Sequence, residues 1–119
     1  MSKRMSVDDF QVMIQADTSD LLMEVTRDIY SGIVSRTPVR TGRARASWTI
    51  GVGAPDLRVH PDTGTPGNPI PAPKVPRFRL KEPQIIFIDN GLPYIQYLEF
   101  GSPTTQATGM VAATMAKYL

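Results

Sequence analysis

The sequence contains no cysteine, one histidine and one tryptophan in 119 residues. Without cysteine there is no disulfide and no thiolate chemistry, which fits a reducing compartment. The histidine, His60, lies between Val59 and Pro61 in a proline-rich stretch. Asp62 is near it in sequence, but no activated serine or cysteine completes a triad. No group of histidines and carboxylates has ligand spacing, so neither a metal nor a cofactor is expected. Gly51-Val-Gly53 lacks the third glycine and the following helix of a dinucleotide loop, and no Gly-Lys-Ser/Thr occurs. Asp89 and Glu99 stand ten residues apart with no other mark of a sugar-cleaving pair. The expectation is a protein that is not an enzyme. Long apolar runs are also missing. Ile85-Ile-Phe-Ile88 spans four residues, against about 20 for a membrane span. Lys3 and Arg4 are followed by Met-Ser-Val-Asp-Asp rather than by an apolar leader. A soluble, intracellular protein without a membrane partner is expected.

What is present is unevenly distributed. At 119 residues the chain is one domain. Residues 1–35 carry six acids against three bases, a net of −3. Residues 36–81 carry nine bases against Asp56 and Asp62, for +7, and residues 82–119 return to −2. A basic middle between acidic ends can meet phosphate, or it can meet the acidic ends of a neighbouring copy.

Residues 6–36 read as a long helix. Ser6 suits an N-cap, and Asp8 and Asp9 put negative charge in the first turn. Phe10, Ile14, Leu21, Val25, Ile29 and Ile33 recur at helical steps. Asp17-Thr-Ser-Asp20 interrupts the stripe, which allows a kink or two shorter helices. Val12, Met13, Met23, Tyr30 and Val34 fall off the stripe and hint at a second partner surface. Thr37-Pro38 ends the helix. A basic connector with a turn at Gly42 follows, and then Trp48, Ile50 and Val52 alternate as in a half-buried strand.

Eight of the eleven prolines lie between residues 54 and 83. That stretch reads as an extended loop or arm, with Lys74-Val-Pro-Arg-Phe-Arg-Leu-Lys81 suited to docking. It is expected to be poorly ordered in an isolated subunit and to become fixed against a neighbouring chain. A strand over Gln84–Asp89 and a turn at Asn90-Gly91 come next. Pro93 then begins a helix of about two turns, which Gly101 ends in a left-handed cap before Pro103. Tyr94, Tyr97 and Leu98 share one face of it, with Glu99 beside them. A stripe of that kind ordinarily packs into a core. Gly109–Leu119 suits a last helix packed through Met110, Val111 and Met115, and its pattern is open to a longer natural C-terminus. The fold class is α+β: a long N-terminal helix on a small antiparallel sheet, a long proline-rich loop, a short helix after the second main strand, and a C-terminal helix.

Three segments together resemble a known family. They are Ser35-Arg-Thr-Pro-Val-Arg-Thr-Gly-Arg-Ala-Arg-Ala-Ser-Trp48, Ile88-Asp-Asn-Gly-Leu-Pro-Tyr-Ile-Gln-Tyr-Leu-Glu-Phe-Gly101 and Ala107-Thr-Gly-Met-Val-Ala-Ala-Thr-Met-Ala-Lys-Tyr118. In this order they are similar to the tail-completion or neck proteins of tailed bacteriophages, of the minor tail protein Z type. Arg40 stands where that family often has an acid. The resemblance implies a structural subunit of the virion, assembled in the host cytoplasm into a ring of six at the head–tail junction. The ring would join portal or adaptor to tail tube or terminator around the DNA channel. A tail-terminator or head-closure ring is the alternative, and a free nucleic-acid-binding protein a more distant one. Arg36, Arg40, Arg43, Arg45, Lys74, Arg77, Phe78 and Arg79 are the candidate contacts with neighbouring subunits or channel DNA. Pro93, Tyr94, Tyr97, Glu99 and Gly101 form the candidate structural corner.

Overall fold

A computed structural model of the chain describes residues 3–8, 10–76 and 78–119, and of Asp8 the backbone alone. Strands β1 (Lys3–Asp8) and β2 (Gln11–Ala16) form a hairpin that precedes the first helix, α1 (Ser19–Arg36). A short α2 (Arg43–Ala46) leads into β3 (Trp48–Val52), and β4 (Ile86–Asn90) follows the proline-rich segment. Two helices complete the chain, α3 (Ile95–Phe100) and α4 (Met110–Met115). All strand pairs are antiparallel, in the order β1-β2-β4-β3. The fold is α+β.

The sheet has one apolar face. Val12 pairs with Ile88 and Ile14 with Ile86, and all four side chains are fully buried. Side chains alternate between faces along a strand, so Gln11, Met13, Phe87, Asp89 and Thr49 belong to the other side. Helix α1 packs on β2 and β3 and also on α4. Its buried residues are Leu22, Val25, Thr26, Ile29, Tyr30, Ile33 and Val34. Met110, Val111 and Met115 of α4 complete the core, as their spacing predicts.

The long helix over 6–36 is therefore corrected. Its first third is a hairpin, and the helix begins at the interruption. Phe10 and Ile14 satisfy a four-residue step, but Val12 and Ile14 also satisfy a two-residue step, with Met13 between them and Gln15 after. Pairing with β4 decides for the second. Thr18, not Ser6, is the N-cap: its Oγ1 accepts a hydrogen bond from Leu21 N at 3.2 Å. The off-stripe Val12, Tyr30 and Val34 are core residues of the same chain. Helix α1 has apolar side chains on more than one face because it lies between the sheet and α4.

Residues 53–85 contain neither helix nor strand among those described, apart from one isolated bridge between Thr65 and Asn68. They lie against the rest of the chain through Val59, Val75, Phe78 and Leu80, which pack against the core, and through single hydrogen bonds. Thr49 Oγ1 donates to Asp56 O. His60 N donates to Ser47 Oγ at 3.0 Å, and Ile70 N to Thr41 O at 2.8 Å. Gly42, at φ +83°, faces the Ile70 backbone so closely that any Cβ there would collide with it. Backbone groups of the segment at Asp56, His60 and Ile70 thus have partners within its own chain.

Candidate functional site

The three segments that carry the resemblance meet in one place. Thr37, just past α1, is buried and uses its hydroxyl twice. It accepts from Trp48 Nε1 at 2.9 Å and donates to Ile33 O at 2.8 Å. Tyr30 OH donates to Trp48 O at 3.1 Å, and burial pushes the Tyr30 hydroxyl up to about 12. Trp48 is paired with Asn90 across β3 and β4. The Asn90 side chain, buried as well, donates from Nδ2 to Ala44 O at 2.8 Å and accepts from Leu92 N at 3.1 Å through Oδ1. The connector and the corner are thus locked by the buried side chains of Thr37, Tyr30, Trp48 and Asn90, each with a hydrogen-bond partner, the condition under which such groups stabilise.

Glu99 joins the corner to the third segment. Its carboxylate is 4% exposed. Oε1 accepts from Val111 N at 2.8 Å and Oε2 from Ala112 N at 3.1 Å. These are amides of the first turn of α4, which have no partner within their own helix, and a carboxylate there also meets the positive end of the helix dipole. Gly109, the N-cap of α4, has no side chain to do this work. Thr108 N donates to Leu98 O at 2.8 Å and Gly109 N to Glu99 O at 3.1 Å, which closes the loop between the helices.

Gly101 has the expected positive φ, 84°, but its ψ is 172° rather than that of a left-handed cap. That combination is open essentially to glycine alone. It turns the chain back, and a Cβ there would meet Ala107 N at 3.0 Å and Thr105 O at 3.1 Å. Pro93 sits in the turn ahead of α3 rather than at its first position. The larger departure concerns the aromatics. Ile95 and Glu99 are the buried residues of α3, whereas Tyr94, Tyr97 and Phe100 are 41%, 49% and 56% exposed. Of the stripe expected in the core, Leu98 packs against it, while Tyr94 and Tyr97 face outward. A six-residue helix buries one face only, and the core and α4 took the face with Ile95 and Glu99.

The candidate basic contacts fall into separate groups. Arg43 Nε donates to His60 O at 3.1 Å and Arg45 Nη2 to Ile70 O at 2.8 Å, so both hold the proline-rich segment. Arg36 is exposed at the end of α1, where its Nη1 donates to Gly32 O at 3.2 Å and Thr114 Oγ1 at 3.3 Å. Lys74 is exposed. Phe78 packs against the core with the Arg27 guanidinium 5.7 Å from its ring centre. Arg79 lines a cleft of about 720 Å³ with Asp20, Met23, Arg27, Phe78 and Leu80. The basic arm thus lies along the acidic start of α1 in its own chain. Arg77 lies outside the described residues. Arg40 is exposed and lines an apolar groove of about 500 Å³ with Val39, Pro66, Tyr94 and Leu98. No group of residues able to hold a metal occurs among the described residues, and none of their helices is long and apolar enough to cross a membrane. His60 Nδ1 accepts from Asp62 N at 3.1 Å in a local loop contact.

Sequence reasoning missed the buried roles of Thr37, Asn90 and Glu99. Each sits inside a quoted motif, and a polar residue next to core positions was the available signal. Comparison of the chain with family models, with curated proteins and with solved structures finds no match.

Proposed function

We propose that this chain is a structural subunit of a tailed-phage virion, placed at the head–tail junction and working in a ring of six. The observation that supports the reading is that the three resemblance segments make one framework. Trp48 and Thr37 fasten the connector, Asn90 ties it to the corner, and Glu99 ties the corner to α4. Motif residues engaged in each other's support are what a scaffold subunit requires. The exposed aromatics and the groove beside Arg40 then supply surface for neighbouring proteins, since solvent-facing aromatics are enriched where proteins meet.

In this role the ring joins portal or adaptor to the tail around the DNA channel. Arg43 and Arg45 have their guanidinium groups on the loop backbone, which leaves Arg36, Arg40, Lys74 and Arg79, of the described candidates, as exposed bases for neighbours or channel DNA. The test is deletion of the gene followed by complementation. Filled heads and free tails that fail to join, rescued by the intact gene, are expected. A map of the particle should show the chain as a closed ring at the junction. Normal infectious particles without the gene, or scattered single copies in the map, would overturn the proposal.

A further inference from the structure

We infer that the outer surface of α3 and the loop after it is a two-fold contact between two copies of this chain. From Gly91 to Ala116 the sequence contains one charged residue, Glu99. That residue is buried and bound to the α4 amides. In a chain with 20% charged residues, this stretch therefore presents a surface without an exposed charge of its own.

What it does present is Tyr94, Tyr97 and Phe100 on one side of α3, with Gln96 and the exposed residues 103–108 around them. The polar groups there are hydroxyls and amides, each able both to donate and to accept a hydrogen bond. This distinction selects the partner. In a two-fold contact every group near the axis meets its own copy. Charges placed so repel strongly, whereas neutral hydroxyls, amides and aromatic rings can pair with themselves. A partner recognised by charge would leave acids or bases at the centre of this face, and residues 91–116 expose none.

The size is adequate. A fully buried aromatic side chain covers roughly 150–250 Å², so three that are about half exposed offer about 300 Å². A standard contact takes about 800 Å² from each partner, a little over half of it apolar. Val39 and Leu98, beside Tyr94 at the adjoining groove, supply much of the remainder, with Arg40 at the rim in solvent. This contact does not depend on a place in a virion or on a ring, so its test is separate from that of the proposed function.

Sedimentation velocity on the purified full chain should show the mass moving from one chain to two as concentration rises. Tyr97→Lys with Phe100→Lys puts like charges opposite each other and should hold the protein at one chain, with an unchanged melting profile. Because the chain has no cysteine, Tyr97→Cys and Phe100→Cys provide a second reading that keeps the surface neutral. Mild oxidation should link each into a covalent dimer, while Ser31→Cys on exposed α1 should not link. The inference is overturned by a single chain at the highest soluble concentration, or by a dimer that persists in the double lysine variant. Equal linkage of the Ser31→Cys control would overturn it too.

Discussion

Glu99 is the residue on which the C-terminal part of the fold most directly depends. A buried carboxylate with two amide donors is stable because each group completes the other, and removing one side leaves the rest desolvated and unpaired. Glu99→Ala should therefore cost about 2–4 kcal/mol, since an orphaned buried amide such as that of Val111 costs about 1–3 and the partly buried Ala112 amide less. Glu99→Gln keeps one acceptor oxygen and loses the charge, and should cost about half as much. Urea denaturation of both variants would check the order, and equal losses would remove the two-amide explanation. Gly101 tests backbone rather than hydrogen bonding. Gly101→Val places a branched side chain at φ 84° beside Ala107 N and Thr105 O, and a loss of about 1–3 kcal/mol is expected. An unchanged melting temperature would mean that this turn relaxes without strain.

At the scale of elements, α1 and the proline-rich segment show opposite ways of gaining order. Helix α1 has its own cap at Thr18, an apolar stripe and a stop at Thr37-Pro38, so its extent follows from local sequence once pairing with β4 has claimed residues 12–14. The segment 53–85 has no ladder and no helix, and is held at single points by Arg43, Arg45, Ser47 and Thr41. Protection from hydrogen exchange should accordingly be local. The Ile70 amide, bonded to Thr41 O, should exchange slowly, while its exposed proline-flanked neighbours exchange fast. Arg43→Ala with Arg45→Ala should raise the Ile70 rate by an order of magnitude or more, as about 1–3 kcal/mol of charged hydrogen bonding is lost. An Ile70 amide that exchanges fast in the unaltered protein would show that the segment needs a neighbouring chain to be fixed.

For the whole molecule, two aspartates pull the pH dependence of stability in opposite directions. Burial pushes Asp89 above the ordinary aspartate range, and the Gln11 amide, 2.9 Å from Oδ2, opposes it in part. The folded state then holds that proton longer than the unfolded chain. Its contribution is full below about pH 4 and is lost as pH rises through the raised value. Asp28 is held below the ordinary range, first by the hydrogen bond with Lys117 and then by that with Tyr118. Its contribution is present above about pH 4 and is lost as pH falls through the lowered value. Asp28 and Lys117 are both exposed, so solvent screens the ion pair and its contribution is small. Asp89→Asn should therefore melt higher than the parent at pH 7 and converge with it toward pH 4. A variant that melts lower at every pH would show that the charged form of Asp89 has a stabilising partner.

The sequence by itself determined the α+β class, the helix through residue 36, the strands around Trp48 and Ile88, and the core role of Met110, Val111 and Met115. In each case neighbouring residues imposed one period, or a proline or glycine imposed one stop. Only the tertiary structure decided the rest. Residues 11–16 fit both a helical and a strand period, and the open edge of β4 chose between them. The aromatic stripe of α3 was legible as a stripe, but which face turned inward depended on Glu99 reaching the start of α4. The destination of the basic connector was equally open, because a guanidinium pairs as readily with a loop carbonyl as with a phosphate or a carboxylate. Periodicity is a local property of a chain. The choice of partner for a face, an edge or a charge is made only where distant segments come together.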